Sequence, residues 1–373
     1  MGLFWRRIWA IVFFCALCSP LLAGVEPGSI PGTFDVSLAG SSSYSVPIKI
    51  PPGAGGTQPQ LHLRYDSQSL GGSIGAGWSL QGLSAITRGP KDQFVDGNPG
   101  GINLDDNDAL YLDGQRIVPV EAPTGMGADR RLKYRKINDD YTEILQLGAD
   151  LNHSLFRVRT KGGVTLILGS PKILQAAPPA SELDATIRFA DGSVMAFAES
   201  AAIDTAGNFI TFRYQSNGLG DYNISEIQYT GHGKLAEDGS IVVDRKPFAG
   251  VSFSYEFAPH ALEVFVGGQL LRKDQRLTDI ASCVFPMPVD RSFSCAGPVA
   301  NSSERLQTAR YKLEYTATET ANRFVLSTLR MFGADNATEV APTKFNYYQG
   351  DPGWRSSPFQ LPDGLVLAET ERL

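Results

Sequence analysis

Glycines crowd the stretch PPGAGGTQPQLHLRYDSQSLGGSIGAGWSL, Pro51 to Leu80, and glycine-rich loops are where backbone N–H groups converge on phosphate. That chemistry needs a closing Gly-Lys-Ser/Thr with a helix behind it. GGSIGAGWSL contains no lysine, and Gln81-Gly82 follows where the helix would have to begin. A dinucleotide fingerprint fails as well, because the glycines fall in the wrong order and no strand–helix–strand unit surrounds them. They read as turn residues. The acidic segment NLDDNDALYLDG, Asn103 to Gly114, lacks the Gly and terminal Glu of a calcium loop and reads as a solvated turn entering a hairpin. His62, His153, His232 and His260 are scattered with no neighbour at ligand spacing, and His62 belongs on a strand face. No Ser-His-Asp or Cys-His arrangement can be nominated. The residues thus nominate no catalytic, cofactor-binding or metal-ligating group, and the expectation is a chain that is not an enzyme and carries no cofactor.

The elements around these residues are strands and tight turns. Of 373 residues, 39 are Gly and 23 Pro, aromatics make up 10% and charged residues only 19%, a turn-rich, charge-poor balance that still has the large apolar groups a core needs. Period-two alternation recurs: Tyr44, Val46, Ile48 and Ile50 share one face, Leu61, Leu63 and Tyr65 another, and Val251, Phe253, Tyr255 and Phe257 a third. YLDGQRIV, IRFADGSVMAF, VFVGGQLL and FRVRTKGGVTLILG place glycine-containing turns between apolar runs, the signature of hairpins. An apolar-polar-Tyr echo appears at Leu63-Arg64-Tyr65, Phe212-Arg213-Tyr214, Phe253-Ser254-Tyr255, Leu313-Glu314-Tyr315 and Phe345-Asn346-Tyr347, too irregularly spaced for a strict solenoid. An all-β, hairpin-rich antiparallel domain over residues 24–373 follows, with a polar insertion near residue 290.

The first residues are organised differently. Arg6 and Arg7 precede an apolar stretch from Ile8 to Leu17 and a small residue at Ala23. That is the order of a secretory signal peptide over residues 1–23, cleaved after Ala23, and the apolar part is too short to span a bilayer. An uncleaved anchor is the alternative. Export leads to the periplasm or the extracellular space, with no membrane span left after cleavage. Cleavage would also remove Cys15 and Cys18, leaving Cys283 and Cys295, twelve positions apart across VFPMPVDRSFS. In an oxidising compartment these two can close a loop as a disulfide worth about 3 kcal/mol, the alternative being two unrelated small apolar residues. The net charge of −6 and the absence of any basic run exclude nucleic acid as a partner.

The segment YSVPIKIPPGAGGTQPQLHLRYDSQSLGGSIGAGWSLQGLSAITR also resembles the opening signature of the SpvB (Salmonella virulence plasmid B protein) N-terminal domain family, found too at the start of insecticidal Tc toxin B components and RHS-type toxins. Pro-Pro-Gly-x-Gly-Gly, Gln-Pro-x-Leu, Tyr-x-Ser-Gln and Gly-x-Gly-Trp-Ser-Leu occur in order, and LYLDGQRIV, ISEIQYTG and RYKLEY agree later. Ala54 stands where arginine is expected. DTAGNFITFRY, with Asp204, Gly207, Asn208 and Tyr214, resembles a Tyr-Asp repeat of RHS proteins. The resemblance implies a scaffold domain of a virulence or toxin-complex protein that works with other toxin-complex or RHS-family components, with enzyme activity housed elsewhere. The family's transferases use a Glu-x-Glu pair, but Glu369 and Glu371 lie beside a chain end, where no rigid site can hold them. Propeller, RHS and effector regions would be expected downstream and do not appear in this sequence. A secreted adhesin or glycan-binding module that uses aromatics on exposed strands is the competing reading.

Overall fold

A computed structural model of the chain describes residues 28–38, 40–171, 184–285, 295, 305–317 and 323–347. The expected signal segment over residues 1–23, with its expected cleavage after Ala23, most of the insertion near residue 290, and Glu369 and Glu371 lie outside the described residues.

Two β bodies share one strand. In the first, β5 (Ala85–Gly89), β6 (Ala109–Leu112), β7 (Gln115–Pro119), β8 (Arg131–Lys136), β9 (Glu143–Gly148), β10 (Ser154–Arg159) and β11 (Thr165–Leu168) pair antiparallel in sequence order. β11 then pairs with β13 (Val194–Ile203), and β13 pairs back onto β5. The ring of hydrogen bonds is a closed barrel. A barrel of about eight strands has an interior just wide enough for side chains to fill. Ile86, Leu112, Ile117, Ile144, Phe156, Leu168 and Phe197 fill this one, with the Phe156 and Phe197 rings edge to face at 4.8 Å. Each such side chain, fully withdrawn from water, contributes about 1.5–3 kcal/mol.

In the second body, β14 (Asn208–Ser216), β15 (Tyr222–Leu235), β17 (Ala249–Val266), β18 (Gln269–Val284), β19 (Leu306–Ala317), β20 (Phe324–Phe332) and β21 (Glu339–Lys344) form a broad antiparallel sheet that grows from β13. A four-stranded sheet, β1 (Thr33–Val36), β2 (Ser42–Pro47), β3 (His62–Asp66) and β4 (Trp78–Gln81), packs over it. Val46, Ile48, Leu63 and Trp78 meet Ile227, Val251, Ile280 and Leu329 in one core. β12 (Thr186–Arg188) and β16 (Ile241–Arg245) are short additions beside β13 and β15.

The alternation expected of β2 and β3 is present, with Val46, Ile48, Leu61 and Leu63 buried. In β17 it stops early. Val251 and Phe253 are buried, but Phe257 is 78% exposed, because the β17–β18 hairpin runs on past the edge of the core. The hairpin turns fall where the glycines placed them. Asp113 and Gly114 both take positive φ between β6 and β7, as do Gly267 and Gly268 between β17 and β18. Just past the opening glycine stretch, Gly82 has φ +99, and a Cβ there would lie 1.9 Å from the Gln60 carbonyl oxygen. Any other residue would push the chain off that strand.

Candidate functional site

The apolar-polar-Tyr echo has a structural cause. The ladder bulges just before Tyr214, Tyr255 and Tyr315, so each tyrosine ends a regular stretch of strand. Tyr214 is in register with Ile224, Tyr255 with Leu277, and Tyr315 with Leu326. Each later tyrosine reaches back to the carbonyl of the earlier pair. Tyr255 Oη donates to Ile224 O at 2.8 Å, Tyr315 Oη to Leu277 O, and Tyr347 Oη to Leu326 O at 2.8 Å. Successive hairpins are thereby stapled one to the next. Burial pushes the Tyr255 and Tyr315 phenols well above the ordinary tyrosine value, so they stay protonated donors.

Tyr214 begins the series, and its hydroxyl is buried without a partner among the described residues. The reason lies in β13. That strand pairs with β14 only over Ala201 to Ile203, while farther back, over Ala196 to Ala198, its same edge is taken by β5. The sheet forks there, and a cleft of about 430 Å³ opens between the two branches. Tyr214, Tyr222 and Tyr255 line it, the first two edge to face at 5.7 Å. Asp221 and Asn223 stand on the opening of β15, where Asn223 Nδ2 donates to Asp221 Oδ2 at 3.2 Å. Burial raises the Asp221 carboxyl above the usual aspartate value, opposed by the Lys273 ammonium and by Asn223. The ammonium of Lys273, also in the lining, makes no hydrogen bond or contact ion pair among the described residues. At the crotch of the fork Glu199 is almost fully buried, and it accepts the Ser84 N–H at 3.1 Å. Burial, with added repulsion from Asp113, pushes its carboxyl up to about 8 against the Ser84 hydrogen bond. Glu199 is therefore a neutral acid at pH 7. The cleft holds donors, acceptors and aromatic faces, and among the described residues no histidine or cysteine lines it.

The groups singled out in the sequence are placed elsewhere and serve the framework. Gly55 abuts Asn208, and Thr57 Oγ1 donates to Asp204 Oδ2 at 2.5 Å, so the glycine stretch docks on the Asp204–Asn208 turn. Tyr229 Oη donates to Pro51 O at 2.8 Å, and Lys49 N donates to Tyr311 Oη at 2.9 Å, pinning the start of that stretch to the broad sheet. The acidic segment is a correction to the solvated turn expected there. Asp108 is buried at the barrel end and meets Arg88 at 3.0 Å, while accepting the N–H groups of Asn103 and Leu104 at 2.8 Å. Arg88 also donates to Val194 O, Asp105 O and Asn152 Oδ1. His62 opens β3, His153 faces Asp150, and His232 lies between Asp244 and Ala206 O; the side chain of His260 is outside the described residues. Among the described residues no three metal-ligating side chains gather. Cys283 and Cys295 are both buried and lie together as a disulfide, with Cα atoms 5.5 Å apart. Sequence reasoning passed over Glu199, Asp221 and Lys273. Glu199 had a signal, a lone carboxylate within the apolar run Phe197 to Ile203.

Residues 36–232, more than half of the chain, match the family described as Salmonella virulence plasmid 65kDa B protein, SpvB. The chain belongs to the SpvB family. Its fold is similar to that in the crystal structure of TcdB2-TccC3, at 15% identity and a TM-score of 0.65, covering 86% of this chain and 17% of that one. A mutant Photorhabdus luminescens Tc holotoxin pore gives 14% identity and a TM-score of 0.61, over 86% of this chain and 16% of that one. The N-terminal domain of the effector protein SpvB from Salmonella typhimurium strain LT2 gives 14% identity and a TM-score of 0.55, over 77% of this chain and 98% of that domain. This SpvB-family chain thus spans about a sixth of the toxin chains it resembles and nearly the whole of the SpvB N-terminal domain. No curated protein matches its sequence. Among the described residues no helix is long and apolar enough to cross a membrane.

Proposed function

We propose that this chain is a non-catalytic, exported assembly domain of a virulence or toxin-complex protein. The observation that carries the reading is the tyrosine staple. Buried phenol-to-carbonyl bonds tie hairpin to hairpin across the broad sheet, which makes a stiff wall out of units that would otherwise slide. The polar groups that might have done chemistry, Arg88 with Asp108 and Asp204 with Thr57, are spent on holding that wall and the barrel in place. Membership of the SpvB family, and a fold shared with the TcdB2-TccC3 toxin assembly, support partners that are toxin-complex or RHS-type components. The order of basic Arg6 and Arg7, an apolar run from Ile8 to Leu17 and small Ala23 supports secretion.

The test is to purify the secreted chain and mix it with an RHS-type component of the TccC3 kind. Its mass in solution and its turnover of NAD and of ester, peptide and glycoside substrates are then measured. The expected result is a stoichiometric complex without turnover. A stable monomer that ignores the component and has transferase or hydrolase activity of its own overturns the reading.

A further inference from the structure

We propose that the cleft at the β13 fork is a binding site for a pyranose, either a free mono- or disaccharide or the terminal sugar of a glycan. Its volume of about 430 Å³ falls within the roughly 300–1,000 Å³ of pockets that hold small ligands. Its polar groups exclude the simpler classes. A cation would have to sit beside Lys273 and an anion beside Asp221, so the opposed pair disfavours a net charge of either sign. A purely apolar ligand would strand the buried Asp221 carboxyl and Asn223 amide away from water.

A neutral, polyhydroxylated ring answers both constraints. Each hydroxyl donates and accepts at once, so one can give its proton to Asp221 and another accept from Lys273. Tyr214, Tyr222 and Tyr255 supply ring faces for the C–H side of the sugar. The Tyr214 hydroxyl, buried and without a partner among the described residues, makes no staple of its own at the branch point, which leaves the cleft beside it open. Met195 and Leu271 close the apolar end. The cleft arises from the fork itself. It is also independent of the assembly reading, since a chain that joins no toxin component would still hold the sugar.

The whole chain is tested by saturation-transfer NMR against methyl glycosides of glucose, galactose, mannose and N-acetylglucosamine at millimolar concentration, and on a glycan array. Lys273→Met keeps the stem of a half-exposed side chain and should leave the unfolding midpoint unchanged, whereas Asp221→Ala removes the acceptor. The expected result is saturation transfer to at least one glycoside, weakened about tenfold or more by each substitution. Array signal without glycoside binding would place the ligand as a glycan end, and glycoside binding alone as a free sugar; either supports a pyranose site here if both variants weaken it. Silence on both arms, or binding unchanged in Lys273→Met and Asp221→Ala, overturns the proposal.

Discussion

Removing single hydroxyls from the tyrosine series separates staples from the unpartnered member. Tyr255→Phe and Tyr315→Phe keep the rings and delete only the bonds to Ile224 O and Leu277 O. Ile224 is 4% exposed and Leu277 1%, so water cannot replace the lost donor. A net hydrogen bond is worth about 0.5–1.5 kcal/mol, and an acceptor left dry raises the loss to about 1–3. Each variant should therefore lose about 1–2 kcal/mol. Tyr347→Phe should lose more, roughly 2–3 kcal/mol, because its oxygen also accepts from the indole Nε1 of buried Trp78 at 2.8 Å. Tyr214→Phe deletes a hydroxyl that makes no bond. It should cost nothing and can gain up to about 1 kcal/mol, since burying an unpaired hydroxyl is itself unfavourable. Guanidinium unfolding, with the denaturant slope checked for constancy, reads all four. A Tyr214→Phe loss equal to that of Tyr255→Phe would refute the staple.

Glu199 sets a pH dependence of stability. Its folded carboxyl titrates at about 8 against 4.5 for the free group, so the folded chain holds a proton that the unfolded chain releases, and stability falls as pH rises between those values and levels off above. The ceiling is about 5 kcal/mol, and Glu199→Gln should flatten that part of the profile and be the more stable chain at pH 9, as read by unfolding midpoints across pH. Arg88→Met should cost about 3–5 kcal/mol by leaving Asp108 charged and unpaired in the barrel end, whereas the double change with Asp108→Leu should recover much of it. The Cys283–Cys295 bridge should appear as a mass two hydrogen atoms short in the unreduced chain, and reduction should cost about 3 kcal/mol; free thiols at both positions in oxidised material would refute it.

The strands and turns were legible because their signals are local. Alternation at Val46 and Ile48, or glycine at 114 and 268, states a backbone geometry within a few residues. The apolar-polar-Tyr echo was visible too, but its meaning was not. That Tyr255 answers Ile224 depends on which hairpin lies beside which, information spread over more than one unit of chain. The acidic segment misled for a related reason. Asp108 looks solvated beside Asp105 and Asp106, and only the pairing of β5 with β6, which sets Gly89 opposite Ala109, brings Arg88 onto it. The cleft was beyond local reading altogether, since Lys273 of β18 joins Tyr214 and Asp221 only through the broad sheet, and the space before them opens only because two strands compete for one edge of β13. Phe257 erred in the opposite direction, its alternation correct but its strand longer than the core beneath it.

The shared strand also dictates an order of events in time. The barrel cannot close until β13 exists, because Ile86 finds its partner in Phe197, and β5 and β11 each keep an unpaired edge until that strand arrives. The loop closed by this contact is long, and such non-local pairing is slow. During synthesis the first half of the chain is thus an open ribbon with a free edge, held back from folding by residues not yet made. Once Phe197 is seated, one strand zips the barrel shut and starts the broad sheet in a single stroke.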